Sequence, residues 1–427
     1  MALSLRRKSV RATHVDRYTH TSVHQNLRAL LDPRAPQPTL LGLPVRVIRA
    51  WRHTIDRLLP LGGGSEGNQL TMLVEGDAAY QAMLAAIKSA RRRVWLETYI
   101  FAPDSVGHLF VDALVQARLR GVEVIVIYDA VGSTGMHGDG HWAPLLAAGA
   151  RVVAFNPAFQ LGRRLPLLYR DHRKILIVDD STGFTGGMNV SADYAGPLLG
   201  NAMFRDTQVL VEGPAVRDLA ALFAASYLTA TGKGLELFAK TPPLVDGVFC
   251  QVLGSDVRRR KRHIQRALFH TVGRCLRTCY LTSPYFVPPP RLLNALERAA
   301  ARGVDVRVLT AGFSDVPIVK IAGRHLYGRL LRGGVRVYEM TGKTLHAKTA
   351  TIDGIYGVIG SFNLDRWSFA RNLEVTLSAI APGLAQELEG QFHEDLKTAQ
   401  EIKLDRHMGM GWLDRLFRWF AYRLMRI

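Results

Sequence analysis

HRKILIVDDSTGFTGGMN, residues 172–189, and HAKTATIDGIYGVIGSFN, residues 346–363, repeat one sparse pattern. His172, Lys174, Asp179, Gly186 and Asn189 recur in order as His346, Lys348, Asp353, Gly360 and Asn363, with 17 positions from His to Asn in both (189 − 172 and 363 − 346). Side chains two residues apart on a β-strand share a face, so each His projects with its Lys. Ile175 to Val178 reads as a strand buried on both faces, which Asp179-Asp180 ends at a turn. Asp353-Gly354 closes the second copy in the same way after Ala350-Thr351-Ile352. One such motif is weak evidence, because His, Lys and Asp each fill about one position in 20 to 30. Two copies that share the trailing Gly and Asn bring accidental recurrence to roughly one in a thousand or less. Two imidazoles and two ammonium groups in matched settings suggest one paired site for a phosphodiester.

Working outward, ALVQARLRGVEVIVI (113–127) matches ALERAAARGVDVRVL (295–309), and LLAAGARVV (145–153) matches LLRGGVRVY (330–338). Each phrase reads as a helix, a C-terminal Gly and a strand. The chain is therefore an internal duplication of two α/β units, each carrying one motif. Its 427 residues suffice for two domains with sizeable cores, and 48% hydrophobic residues exclude a mostly disordered chain. The polar, proline-containing stretch 233–243 is the linker candidate. The expected organisation is a basic arm with an amphipathic helix over 1–66, repeats over 67–240 and 241–405, and a basic amphipathic helix over 406–427.

The duplicated H-x-K-x4-D-x6-G-[G/S]-x-N pattern resembles the phospholipase D superfamily, and within it the bacterial cardiolipin synthases. LETYIFAPDSVG (96–107), FRDTQVLVEGPAV (204–216), LTSPYFVPPP (281–290) and SFNLDRWSFARNLE (361–374) extend the likeness over roughly 67–405. The resemblance implies two halves related by a pseudo-twofold axis, each a mixed β-sheet flanked by helices, with the active site at their interface. It implies that His172 and His346 face each other across the scissile phosphate. One forms a phosphohistidine; the other protonates the departing alcohol and deprotonates the incoming one, a division suited to a side chain whose pKa is near ~6.5. The likeness leans towards His172 as the nucleophile. Lys174, Lys348, Asn189 and Asn363 would bind the non-bridging phosphate oxygens, where charge accumulates in the transition state. Asp179 and Asp353 complete the catalytic signature but sit at turns, which suits shaping the site better than touching substrate. Asp206 and Glu374, following their histidines by 34 and 28 residues (206 − 172 and 374 − 346), would accept Nδ1–H of each His. The scheme requires no metal and no cofactor.

Phosphohistidine is a branch point. A second phosphatidylglycerol would yield cardiolipin and water would yield phosphatidic acid, a choice that depends on excluding water. The resemblance favours transfer, through Glu97-Thr98-Tyr99 and Tyr285-Phe286-Val287-Pro288; the alternative for the latter is a strand end packing aromatics before a proline-stopped loop. Phosphatidylethanolamine is a second candidate donor.

The net charge of +19 implies a polyanionic partner, either nucleic acid or an anionic bilayer. As a helix, Val45 to Leu59 sets Val47, Ile48, Trp51, Ile55, Leu58 and Leu59 against Arg46, Arg49, Arg52, Asp56 and Arg57. At the other end Trp412, Leu413, Leu416, Phe417, Phe420, Leu424 and Ile427 oppose Arg415, Arg418 and Arg426. Aromatic residues opposite Arg compose an interfacial helix for anionic lipid; the alternative is docking onto the protein's own core. Nucleases of the superfamily are typically shorter and carry one motif, so the duplication argues against a nucleic-acid partner. Retention of both His, both Lys and both Asn argues against a non-catalytic lipid-binding scaffold. No run of about 18 apolar residues and no apolar leader segment is present, so the expected location is the cell membrane, peripherally on its cytoplasmic face. Cys250, Cys275 and Cys279, odd in number and without zinc-site companions, suit a reducing compartment and structural roles.

Overall fold

The computed structural model describes residues 44–136, 140–158, 168–256, 261–409 and 411–425. The chain forms two compact units, Met1–Arg52 and His53–Ile427. The described part of the first, 44–52, carries the start of helix α1 (Val45–Leu58).

In the second unit the first repeat runs β1 (Gly64–Leu73), α2 (Gly76–Ser89), β2 (Arg93–Thr98), α3 (Ser105–Leu119), β3 (Glu123–Asp129), α4 (Ala143–Ala147), β4 (Arg151–Phe155), β5 (Ile175–Val178), β6 (Thr182–Gly186), β7 (Phe204–Arg205), β8 (Gln208–Glu212) and α5 (Ala215–Thr231). The second follows as β9 (Val248–Asp256), β10 (Lys261–Arg262), α6 (His263–Arg274), β11 (Thr278–Thr282), α7 (Pro290–Ala301), β12 (Asp305–Ala311), α8 (Pro317–Arg332), β13 (Arg336–Met340), β14 (Thr344–Leu345), β15 (Thr349–Ile352), β16 (Tyr356–Gly360), α9 (Arg366–Ala370), β17 (Glu374–Ile380) and α10 (Pro382–Leu396). After them come β18 (Ala399–Glu401), α11 (Leu404–Met408) and α12 (Trp412–Leu424).

Apart from β7 and β14, which pair with each other, and β10, which pairs with β9 off this path, the strands join one sheet in the order β18-β13-β12-β11-β15-β16-β17-β9-β1-β8-β6-β5-β2-β3-β4. Apart from β18 at one edge, the order mirrors itself about the antiparallel β1–β9 pair, which is the expected twofold relation. Within each half three strands run parallel, β2-β3-β4 and β11-β12-β13. The motif strand lies antiparallel to the first of them, β5 to β2 and β15 to β11. The shared helix-Gly-strand phrases become α3-β3 and α7-β12. The turns between them need the left-handed conformation supplied by Gly121 (φ 91°) and Gly303 (φ 86°). One apolar core crosses the repeats: Trp95, Ile125, Ile175 and Ile177 of the first pack with Ile359, Val375 and Leu377 of the second, around α5. That continuity sets the two motifs against each other instead of leaving them on separately folding domains.

The ends of the chain differ from one another. In the part of α1 that belongs to the second unit, Ile55 and Leu58 are buried, and the Leu58 carbonyl accepts from Gln251 Nε2 at 2.8 Å. These two residues, expected on a lipid-facing side, are core residues instead. At the other end α12 docks by its opposite side: Arg418 is 8% exposed and Ala421 fully buried, while Tyr422 stacks on His325 of α8. Trp412 and Leu413 are left 69% and 64% exposed, with Leu416, Phe417, Trp419, Phe420 and Leu424 also uncovered. Arg426 and Ile427 lie outside the described residues. Among the described residues no helix is long and apolar enough to cross a membrane.

Candidate active site

The backbone brings the two motifs together by exchange. His172 and Lys174 lie in the extended lead-in to β5, and His346 and Lys348 between β14 and β15, so the strand proper begins one residue after each Lys, not at the His. The His172 amide donates to the Leu373 carbonyl of the other repeat at 2.9 Å, and the His346 amide to Arg205 at 2.8 Å, next to the β7–β14 pairing. Each acceptor directly precedes an acid: Leu373 precedes Glu374, and Arg205 precedes Asp206. A histidine anchored on one repeat is thereby held against the carboxylate of the other.

That geometry corrects the pairing read from chain order. Glu374 Oε2 accepts from Nδ1 of His172 at 3.0 Å, and Asp206 Oδ2 from Nδ1 of His346 at 2.6 Å. A carboxylate only accepts, so Nδ1 carries the proton and each Nε2 carries the lone pair. The acids are themselves held. Ser361 Oγ donates to Glu374 Oε2, Ser368 Oγ to Oε1 at 2.7 Å, and the Thr207 amide to Asp206 Oδ1 at 2.7 Å.

All six of these side chains, both lysines included, are buried. Burial lowers the pKa of His172, with Glu374 opposing, and lowers His346 to about 4, helped by the charge of Lys348. Burial also pulls Lys174 down to about 7 and Lys348 to about 8. For Asp206 and Glu374 burial pushes upward, but the facing histidines and lysines outweigh it and hold both carboxyls below their usual range. Each lysine acts on the histidine of the other repeat as well as its own, so the four groups form one electrostatic unit. A bound phosphodiester anion would offset the mutual repulsion and favour the protonated forms.

The lysines turn back on their own motifs. Lys174 Nζ donates to the His172 carbonyl at 2.9 Å; Lys348 Nζ donates to the His346 carbonyl and lies 3.0 Å from Nε2 of the same ring. Asn189 is tethered through Oδ1 to the Ile100 amide at 3.1 Å and donates from Nδ2 to the Tyr194 hydroxyl at 2.7 Å. Asn363 is buried with Oδ1 unpartnered among the described residues. The Tyr99 ring stands 5.1 Å from His172 and 5.4 Å from Lys174 Nζ.

Asp179 and Asp353 do not join this group. They sit just past the far ends of β5 and β15, five residues and thus about 16 Å along the chain from each lysine. There Asp179 accepts from the amides of Arg91 and Arg92, both at 2.7 Å, and of Arg93 at 3.0 Å. Asp353 accepts from those of Leu276 (2.9 Å), Arg277 (2.7 Å) and Thr278 (3.2 Å). Both adopt positive φ, 50° and 58°, at the tight turn. Their part of the signature is structural: each clamps the start of the neighbouring parallel strand. Asp353→Ala should cost about 2–4 kcal/mol of stability by stranding these donors, read as a lowered unfolding midpoint in urea.

Phe286 and Val287 are core residues, Phe286 bridged to Leu364 and the Val287 amide donating to the Leu364 carbonyl, as the packing alternative for that phrase has it. Glu97 is buried beside Asp171, and burial followed by that neighbour raises its pKa well above the ordinary value. Tyr194 and Ser368 lie outside the repeated pattern, and Ser361 enters it only as the [G/S] position of the second copy. The available signal was position: Tyr194 and Ser368 both stand five residues after a motif Asn.

A twofold pair of buried His-carboxylate units with two lysines defines a phosphodiester-transfer site of the phospholipase D type. The family model described as "Cardiolipin synthase, PLD-like domain" matches residues 83–215 and 268–396, and the chain belongs to that family. It is 34% identical over 342 residues to cardiolipin synthase A of Pseudomonas putida, covering 78% of this chain and 70% of that one. It is 30% identical over 402 residues to cardiolipin synthase 1 of Bacillus anthracis, covering 91% and 78%. In fold it is similar to the phosphatidylserine synthase of Haemophilus influenzae, with a TM-score of 0.65 at 13% identity over 88% of this chain and 96% of that one.

Proposed function

We infer that the chain is a cardiolipin synthase, a phosphatidyltransferase that moves the phosphatidyl group of one phosphatidylglycerol to the free glycerol hydroxyl of a second and releases glycerol. The observation that carries this reading is the exchanged pairing His172–Glu374 and His346–Asp206 beside Lys174 and Lys348, in a chain of the cardiolipin synthase family. One imidazole attacks phosphorus through Nε2 while the other gives its proton to the leaving glycerol oxygen. The second alcohol then attacks, losing its proton to the same base, and the P–N bond breaks with its electron pair returning to the nucleophilic ring. Lys174, Lys348, Asn189 and Asn363 stabilise the non-bridging oxygens. The repeats, taken as 67–240 and 241–405, act as one catalytic unit.

Attachment is peripheral, on the cytoplasmic face, through α12. Its aromatic side is uncovered while its buried Arg418 side rests on protein, the orientation an interfacial helix requires. Phosphatidylglycerol vesicles incubated with purified protein should yield cardiolipin and glycerol in equal amounts, and protein lacking 406–427 should sediment less with them. Phosphatidic acid as the sole lipid product would replace this reading with a hydrolase. DNA cleavage without any lipid product would replace it with a nuclease.

A further inference from the structure

The two halves of the site differ five residues after the motif Asn. Ser368 of the second repeat supports Glu374, whereas Tyr194 of the first reaches the reacting nitrogen of the other repeat's histidine. Its hydroxyl accepts from Asn189 Nδ2 and lies 3.4 Å from Nε2 of His346, which leaves its own proton free to face that nitrogen alongside Lys348 Nζ at 3.0 Å. Burial, then the charge of Asp206, raises its pKa well above 10, so it remains a donor. The ring meets His346 edge-on at 5.0 Å and stacks on Phe204 at 4.7 Å. Tyr194 and Phe204 also line a cavity of about 610 Å³ bordered by Val74, Gly76, Lys343 and Thr398, which His346 does not line. The two rings thus form the partition between that cavity and the histidine. Nε2 of His172 has no hydrogen-bonding partner among the described residues.

We propose that Tyr194 is a positioning residue for the acceptor step: it hands its hydrogen bond from His346 to the incoming lipid hydroxyl and, with Phe204, keeps water from that base on the side of the cavity. The inference rests on the phosphatidyl-transfer reading and makes His346 the acid-base and His172 the nucleophile. In the step concerned the acceptor O–P bond forms, its proton passes to Nε2 of His346, and the P–N bond to His172 breaks with the pair returning to that ring. The hydroxyl of Tyr194 orients the acceptor oxygen and is not consumed.

Tyr194→Phe keeps the ring and removes the donor. With phosphatidylglycerol vesicles its ratio of cardiolipin to phosphatidic acid should fall about tenfold against the wild type, at an unchanged unfolding midpoint. Tyr194→His, which restores a donor, should recover part of the ratio. An unchanged ratio in Tyr194→Phe, whether total turnover is kept or lost, would overturn the proposal. Failure of the wild-type protein to make cardiolipin at all would instead strike the transfer reading.

Discussion

Alanine at His172 abolishes phosphatidyl transfer, alanine at His346 does the same, and the double variant is no worse than either. These are the expected results in a product assay with labelled phosphatidylglycerol. Removal of the nucleophile eliminates the covalent route, and removal of the acid-base leaves an alkoxide to depart unprotonated from a buried site. A loss of about 10⁴-fold or more is expected for each. The effects do not add, because both rings serve one reaction centre and the first loss forfeits what the second would have contributed. The backbone bonds of each His to Leu373 or Arg205 persist whatever its side chain, but each variant leaves a buried carboxylate, Glu374 or Asp206, without its imidazole, so the unfolding midpoint is read alongside turnover. Retention of a tenth of the activity in either variant would mean that the two motifs do not share a substrate.

The second large effect concerns the exchanged acids. Glu374→Gln and Asp206→Asn keep shape but remove the charge that holds Nδ1–H, and about 10²–10⁴-fold loss in kcat is expected by comparison with carboxylates of this role in hydrolytic triads. The pairing gives these variants a signature beyond lost rate. Glu374 raises the pKa of His172 against the dominant effect of burial, so its neutralisation should lower the titration of His172 further and leave His346 nearly unmoved. Asp206→Asn should do the reverse, lowering His346. Imidazole resonances followed by NMR against pH distinguish the two. A response of His172 to Asp206→Asn, with none to Glu374→Gln, would restore the pairing within each repeat.

The histidines and lysines were legible in the sequence because a fixed spacing along an extended segment survives folding unchanged. The acids were legible as residues but not as partners. Which carboxylate meets which ring depends on a sheet that mirrors itself about β1 and β9, and no local spacing records that. Asp179 and Asp353 show the converse: their conserved offset from the histidine within both copies reflects a shared turn with positive φ and a three-amide clamp, so repetition marked architecture there and chemistry at the histidines. Amphipathicity at the two ends was equally plain, yet Ile55 and Leu58 are buried while Trp412 and Phe420 are exposed. A helical stripe specifies an apolar neighbour without saying whether that neighbour is protein or lipid. Tyr194 is not legible from the repeat because its counterpart is Ser368, and repetition carries no signal at the positions where the two copies diverge.

The decisive measurement is the stereochemistry at phosphorus in transfer from a chiral phosphorothioate analogue of phosphatidylglycerol. Two successive in-line displacements through a phosphohistidine give net retention, the result expected here. Net inversion would mean that the acceptor alcohol attacks phosphorus directly, and would contradict a covalent route shared between His172 and His346.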